Sequence, residues 1–511
     1  MRILFTASEV SPFAKTGGLA DVAGSLPAAL ARSGHEVKVV MPRYSAVNEK
    51  RWGLQSRGDL TVRLAGKEYP FTLWAAPLPE TPARLPDGQV EVLFLSHEGL
   101  FGRPELYQEK GKDYPDNLER FAAFSRAVLE IPKRLDWSPD VLHGNDWQTG
   151  LIFVYRRVLY PADPLYRRTG TLFTIHNLGY PGLFPGSEFP RLGLPSKYFS
   201  PDALEFYGKL NLLKAGLVFA GVLNTVSPTY SREIQTHEFG QGLEGVLQTR
   251  RSDLFGIING VDYRQWDPAH DPSIAQGYEA RTLKGKRVCK EALQTECRLP
   301  VKDVPLIGMI TRLTAQKGTD LVIEVLDELM RLNLQLVILG TGDPDIQLKL
   351  KQAMQRHPEK LSVHLAFNES LSHRIEAGSD LFLMPSRYEP CGLNQLYSLR
   401  YGTIPMVRKT GGLADTVVDA IPSNVEEGKA TGFVFERASS HEMLTTVQLA
   451  LKLFREKDLW YRMMRTGMAA DFSWDRSAQE YEKLYRLAIE KARLPDGQIA
   501  GPPKPGSGVQ T

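Results

Sequence analysis

Residues 3–42 read ILFTASEVSPFAKTGGLADVAGSLPAALARSGHEVKVVMP, and they decide the fold. ILFTAS is a short apolar run that reads as a buried strand, and EVKVVMP is a second. Between them lie a Gly-rich loop around Lys15, Gly17 and Gly18 and an amphipathic helix ending near Gly34. Strand, turn, helix, strand is a βαβ unit and predicts a parallel sheet. The loop sets a cation, a hydroxyl and two adjacent glycines ahead of a helix start. A Gly-Gly turn lets backbone N–H groups face an anion with no Cβ in the way, and the helix adds the positive end of its dipole. The loop returns as KTGGLADT at residues 409–416. Two copies in separate halves predict two similar half-molecules facing one anionic ligand. The competing reading is a plain strand-to-helix turn whose glycines serve close packing.

At 511 residues the chain is too long for one core, and roughly two to four domains are expected. A hydrophobic fraction of 42% and a charged fraction of 24% fit an ordinary soluble globular protein. A net charge of +3 is no footprint of a nucleic-acid binder. Cys289, Cys297 and Cys391 show no C-x-x-C spacing, which argues against zinc and disulfides and for a reducing compartment. The N-terminus does not read as a signal peptide, and no apolar run approaches membrane-spanning length. A cytoplasmic protein without membrane partners is expected.

The remaining chain repeats the first pattern. Residues 52–97 read as hairpins decorating the sheet edge, and 117–135 as a helix. PDVLHGNDW, GTLFTIHN and 219–227 each contain a strand. LFGIINGVD at 254–262 reads as a strand leaving the first domain, with a linker up to about Ala280. The second half alternates again: VPLIGMITRL, QLVILGTG, LSVHLAF, DLFLMPS and TIPMVR as strands, DLVIEVLDELMRL as one helix. RSAQEYEKLYRLAIEKARL is the last strong helix, and the Gly- and Pro-rich tail at 495–511 reads as disordered. The predicted fold class is α/β, two doubly wound domains with ligand at their strand C-termini.

Unusual polar residues gather at the predicted strand ends. Arg312 and Lys317 in ITRLTAQKG can clamp a diphosphate, Arg bidentately and Lys as a point charge. A solvated loop with incidental charges is the alternative. GTGD at 340–343 reads as a structural turn. In SRYEPCGLNQL, Pro390 holds Glu389 extended, and Cys391 and Gly392 lead into a helix. A carboxylate there suits a sugar hydroxyl or developing positive charge, or simply complements the helix dipole. Cys391 alone reads as a packed thiol. His143, Asn145 and Asp146 in LHGNDW, with His176 and Asn177 in FTIHN, also end strands and read together as substrate contacts. No H-E-x-x-H, Walker loop or G-x-S-x-G is present.

KTGGLADV, HGNDW, TIHN, INGVD, ITRLTAQKG, SRYEPCGLNQL and KTGGLADT, in this order, resemble the bacterial glycogen synthases, relatives of plant starch synthases. The resemblance spans residues 1–494. It implies the GT-B fold, with domains at 1–262 and 263–474 and the 475–494 helix crossing back to the first. It implies retaining transfer of glucose from ADP-glucose to the non-reducing end of an α-1,4-glucan, with no metal and no cofactor. It implies that Lys15, Gly17 and Gly18 approach the nucleotide sugar and that Asp21 lies near the glucose. Asp146 and Asn259 match polar contacts to donor or acceptor glucose, and His176, with Asn177 beside it, matches the contact to the transferred sugar. Arg312 and Lys317 match the phosphate clamp, Glu389 the site carboxylate, and Cys391, Gly392 and Leu393 the turn that meets the diphosphate. Phe367 stands where a tyrosine stacking on the base is expected. Lys15, His176, Arg312, Lys317 and Glu389 form the expected catalytic group. Phe367 is one departure from the family pattern; two more concern Asn394, in place of a threonine expected to touch phosphate, and Asn145, in place of an acceptor-side histidine. The alternatives are a UDP-glucose-dependent or sucrose-forming transferase of the same fold and a catalytically silent glucan-binding paralogue. Glucan phosphorylases share the fold but require a lysine-bound pyridoxal group.

Overall fold

In the computed structural model, which describes residues 1–79 and 90–494, Arg2–Thr6 is an inward-facing strand, β1. The Gly18–Arg32 helix follows and buries Leu19, Val22, Ala23, Leu26 and Leu30. It stops where Gly34 takes φ +84°, so that His35 N–H reaches back to the Leu30 carbonyl at 3.2 Å. Glu36–Pro42 then returns as β2, parallel to β1 with Ile3 opposite Val37.

The first sheet adds β3 (Gln55–Leu64), β4 (Lys67–Pro77), β5 (Glu91–Ser96), β6 (Val141–Asn145), β7 (Gly170–Ile175), β8 (Val222–Thr225) and β9 (Leu254–Gly256). Their order is β9-β8-β7-β6-β1-β2-β5-β4-β3, parallel except at β5-β4 and β4-β3. The edge hairpin expected within 52–97 is β3–β4. The VEVLFLS run differs from its reading: it is β5, wound parallel to β2. Its four central residues are all buried, the continuous apolar pattern of a strand covered on both faces. Only Leu254–Gly256 of the 254–262 run is a strand.

The second sheet contains β10 (Leu306–Ile310), β11 (Gln335–Leu339), β12 (Leu361–His364), β13 (Leu381–Met384), β14 (Ile404–Arg408) and β15 (Phe433–Phe435). All its pairings are parallel, in the order β12-β11-β10-β13-β14-β15. This is the doubly wound order with a switch beside the first strand, between β10 and β13. The first sheet switches in the same way between β1 and β6. The single helix read from DLVIEVLDELMRL is two, Thr319–Glu324 and Leu326–Arg331, broken at Val325. LSVHLAF ends as a strand at His364, which places Phe367 in the following loop.

The chain forms two compact units. One comprises Met1–Val226, Ser231–Gly260 and the chain from Trp474; the other comprises Ser227–Tyr230 and Val261–Ser473. The Trp474–Arg493 helix packs on the first sheet so closely that a Cβ on Gly170 would lie 2.6 Å from the Ala488 backbone. Its Tyr485 hydroxyl meets His143 Nδ1 at 2.9 Å, and its Tyr481 hydroxyl accepts from Asn224 Nδ2 at 3.0 Å. His143 also meets Thr174 Oγ1 at 2.8 Å and is fully buried, and burial holds it well below the usual imidazole range. It is therefore a neutral structural histidine and not the strand-end contact read from LHGNDW. The expected tail at 495–511 lies outside the described residues. No described helix is long and apolar enough to cross a membrane.

Candidate functional site

Candidate residues stand at the switch point of each sheet. In the first unit, β1 leads through Glu9 into the Lys15 loop. Glu9 is buried and accepts from Thr16 N–H at 2.5 Å, Thr16 Oγ1 at 2.6 Å and Gly17 N–H at 3.2 Å. The Tyr107 hydroxyl donates to the same carboxylate at 2.8 Å and meets Ser8 Oγ at 2.7 Å. The first two N–H groups of the turn, read as facing an outside anion, thus face an internal one. The turn presents outward the Lys15 ammonium, paired with Asp21 at 2.6 Å, and the backbone of Gly17. A Cβ on Gly17 would meet nothing within 4 Å, and its φ of −155° suits any residue. Neither backbone conformation nor packing demands glycine here.

The second KTGGLAD copy differs. Gly411 takes φ +44°, and a Cβ on it would lie 1.9 Å from the Glu389 carbonyl oxygen. A Cβ on Gly412 would lie 2.1 Å from the Cys391 carbonyl oxygen. Here the close-packing reading of the motif holds. Lys409 pairs with Glu436 at 2.8 Å on the surface.

Across the first switch point, β6 ends in Asn145 and Asp146, and neighbouring β7 runs into His176 and Asn177. Asp146 takes φ +55°, an uncommon backbone state for a non-glycine. The His176 N–H donates to Asp146 Oδ1 at 2.7 Å. Burial pushes the Asp146 carboxyl up to about 7, against the pull of backbone N–H groups from His176 and Asn177. Burial also lowers His176 to about 3, so the ring is neutral. Asn145 Nδ2 donates to the Thr6 carbonyl at 3.0 Å, which turns its Oδ1 toward His176 Nε2 at 2.9 Å. Nε2 must therefore carry the proton, and Nδ1 is left as an acceptor. Asn145 is fully buried and orients His176 instead of reaching an acceptor. Asn177 Oδ1 caps its own turn by accepting Gly179 N–H at 2.9 Å. Asn259 is buried, and its Oδ1 has no hydrogen-bond partner among the described residues.

In the second unit, the loop after β10 carries exposed Arg312 and half-buried Lys317, and the loop after β13 carries buried Glu389. Lys317 Nζ contacts both Glu389 oxygens, at 2.8 and 2.6 Å, and Ser386 Oγ donates to Oε2 at 3.0 Å. Gly318 permits this meeting. At φ +69°, a Cβ on it would fall 2.0 Å from the Pro385 carbonyl oxygen. Buried Arg408 holds the 386–387 backbone through the Ser386 carbonyl at 2.8 Å and the Arg387 carbonyl. The GTGD turn packs behind, with Gly340 and Gly342 against the carbonyls of Thr311 and Leu313, which supports its structural reading.

Gly392 takes φ +73° and, with half-buried Leu393, leads into the Asn394–Arg400 helix. Asn394 Nδ2 donates to the Ile310 carbonyl at 2.8 Å, so this departure ties the helix to the end of β10. Cys391 is buried and forms no disulfide. Phe367 is 86% exposed and takes no part in the core. Each unit therefore gathers its own candidates: Lys15, Gly17, Gly18, Asp21, Asp146, His176 and Asn177 in the first, Lys317, Glu389, Gly392 and Leu393 beside Arg312 in the second. Glu9, Tyr107 and Ser386 were missed. The short Ser-x-x-Glu spacing signals Ser386, whereas the brace on Glu9 is visible only in three dimensions. Among the described residues no cluster of three or more His, Cys, Asp or Glu could hold a metal ion.

Residues 2–249 match the model of the starch synthase catalytic domain, and residues 296–458 that of glycosyl transferases group 1. The chain is 47% identical over 498 residues to a glycogen synthase of Desulforudis audaxviator (strain MP104C), covering 96% of this chain and 97% of that one. It is 49% identical over 491 residues to a glycogen synthase of Anaeromyxobacter dehalogenans (strain 2CP-C), covering 95% and 99%. Among solved structures, the catalytic domain of starch synthase IV from Arabidopsis thaliana, bound to ADP and acarbose, superposes with a TM-score of 0.87 at 33% identity, covering 96% and 99%. A sucrose-phosphate synthase from Thermosynechococcus elongatus shares the fold alone, at a TM-score of 0.58 and 16% identity. With switch-point residues of this kind in both sheets and relatives matched along nearly their whole length, the chain belongs to the glycogen synthase family.

Proposed function

We propose that this protein transfers glucose from ADP-glucose to the non-reducing end of an α-1,4-glucan, with retention of configuration and release of ADP, in the cytoplasm. The observation that carries this reading is the ion pair of half-buried Lys317 with buried Glu389 at the switch point of the second sheet, with Arg312 in the same loop as Lys317. Near-full-length likeness to glycogen synthases, and to a starch synthase solved with ADP, supports it. Arg312 and Lys317 meet the diphosphate as it gains charge, with the Gly392 and Leu393 backbone behind them. Glu389, oriented by Lys317 and Ser386, faces the sugar as positive charge builds on its ring. In the first unit Lys15 adds a cation, the open backbone of Gly17 admits close approach of ligand, and neutral His176 offers Nδ1 to a sugar hydroxyl.

The test is labelled glucose incorporation into glycogen from ADP-glucose against UDP-glucose, in wild type and in Phe367→Ala. Phosphate and glucose contacts are common to both donors, so the base must discriminate. An exposed phenyl face overlaps a purine more than a pyrimidine, and such stacking is worth about 1–3 kcal/mol. Phe367→Ala is expected to lose more kcat/KM with ADP-glucose than with UDP-glucose. Equal losses would remove Phe367 from the base pocket, and a wild type faster with UDP-glucose would overturn the donor assignment.

The two Gly-Gly copies give a second expected result. Gly17→Ala has room for its methyl group and should leave Tm within a few degrees while raising the KM for ADP-glucose. Gly411→Ala meets a carbonyl oxygen at 1.9 Å with a positive φ, and should cost about 2–4 kcal/mol of stability. Thermal denaturation of both variants, with donor titration of Gly17→Ala, checks this. An unchanged donor KM in Gly17→Ala would take the first loop out of the binding site.

A further inference from the structure

The Asn394–Arg400 helix has seven residues, and a helix of that length is not stable in isolation. Outside contacts must therefore fix its place. Asn394 ties its front end to the Ile310 carbonyl of β10. Farther along, Tyr397, Arg400 and the next residue, Tyr401, follow the i, i+3, i+4 spacing of one helical stripe. One stretch of chain takes all three. The chain enters the second unit at Val261, and residues 263–271 lie along this stripe. The Trp266 indole stacks face to face on the Tyr397 ring, with centroids 3.7 Å apart and planes at 4°. Asp267 Oδ1 accepts from Arg400 Nη2 at 2.6 Å, and the Arg400 guanidinium lies 4.6 Å from the centre of the Tyr263 ring. Asp271 Oδ2 accepts from the Tyr401 hydroxyl at 2.6 Å.

The other face of the Trp266 indole stacks on His373, at 3.9 Å and 7°. His373 belongs to the Glu369–Gly378 helix, and its Nδ1 donates to Asp271 Oδ2 at 2.7 Å. Trp266 is thus a buried flat spacer between two helices. Three parallel rings in contact fix the separation of the outer two: they cannot approach further, and they lose dispersion if they part. We infer that Trp266 is a positioning residue for the nucleotide-sugar donor. It sets the height of the Asn394–Arg400 helix, and with it the Gly392–Leu393 backbone that leads into that helix. Through Asn394 and Ile310 the same helix also bears on the end of β10, where the Arg312 loop begins. The inference rests on that backbone meeting the donor diphosphate, as proposed above. Removing the indole leaves a slot one ring thick, which Tyr397 closes only by carrying its helix toward His373. A shift of about 1 Å is enough to weaken contacts of this kind severely.

The test uses Trp266→Ala, Trp266→Phe and Tyr397→Leu in the full chain. Calorimetric titration with ADP is read alongside kcat, KM for ADP-glucose and for glycogen, and Tm. Trp266→Ala should raise the ADP Kd and the ADP-glucose KM about tenfold, while kcat at saturating donor and the glycogen KM stay within about threefold of wild type. Trp266→Phe keeps a flat ring in the slot and should bind ADP within about threefold of wild type. Tyr397→Leu removes the helix's side of the stack and leaves Trp266 on His373. It should repeat the loss of ADP affinity, and it decides the matter if Trp266→Ala does not fold. Were Trp266 only structural, Tm and the yield of active protein would fall while the folded molecules kept wild-type ADP affinity. An ADP Kd within about twofold of wild type in Trp266→Ala or in Tyr397→Leu, or a Phe variant as weak as the Ala variant, would overturn the positioning role. A wild type without affinity for ADP would overturn the donor reading and this role with it. A wild type that binds ADP through this arrangement yet transfers no glucose would uphold the role and overturn the proposed function.

Discussion

Glu389→Gln is expected to lower kcat about a hundredfold or more, the usual cost of removing one preorganised electrostatic contact from a closed site. The side chain is buried, with both oxygens fixed by Lys317 and one also by Ser386. Glutamine fills the same space and keeps an oxygen for Lys317, so geometry is largely preserved while the charge is lost. Ground-state donor binding depends on phosphate and base, so the KM for ADP-glucose should change far less than kcat. Steady-state kinetics at saturating glycogen reads both quantities. Near-normal turnover would remove Glu389 from the chemistry.

Lys317→Ala is expected to act twice. It withdraws a cation from a leaving group that gains charge, which should lower kcat and raise donor KM, each contact being worth about 2 kcal/mol or more. It also leaves the Glu389 carboxylate buried without its partner. Breaking a buried pair in this way costs about 3–5 kcal/mol, more than keeping the pair gains over an apolar substitute. Tm should therefore fall clearly. Adding Glu389→Gln to Lys317→Ala should restore Tm but not turnover, because the uncompensated charge is gone while both functional groups remain missing. Chemical denaturation of the two single variants and the double variant checks the pattern. Additive losses of stability would mean that the ion pair does not couple the two loops.

The wound sheets were legible because their signals are local. Apolar strands, Gly-punctuated turns and polar residues at strand ends can be read along the chain, and they single out Lys15, Asp146, His176, Lys317 and Glu389 as candidates. What stayed hidden depends on distant contacts. Two identical KTGGLAD stretches have different surroundings: one faces open space at Gly17 and the other lies against the backbone of Glu389 and Cys391. Nothing within either motif encodes that difference. Glu9 reads as an ordinary polar residue until the fold places it under Thr16 and Tyr107. His143 and His176 both end strand-like runs, yet one is sealed beneath Tyr485 and the other lies at the strand tip. The division of the 319–331 helix at Val325, where φ is −111°, leaves no mark in the apolar periodicity.

The Trp474–Arg493 helix has a consequence for how the protein is made. It completes the first unit, yet the ribosome must add all of Val261–Ser473 before it appears. At roughly 5–20 residues per second, that interval is tens of seconds. Throughout it, the groove at Gly170 is open to water, and His143 and Asn224 lack the hydroxyls of Tyr485 and Tyr481. The inserted second unit, whose strands are consecutive, can finish folding first. Although its synthesis begins earlier, the N-terminal unit is the last to close, and a nascent chain cut short before Trp474 carries it unsealed.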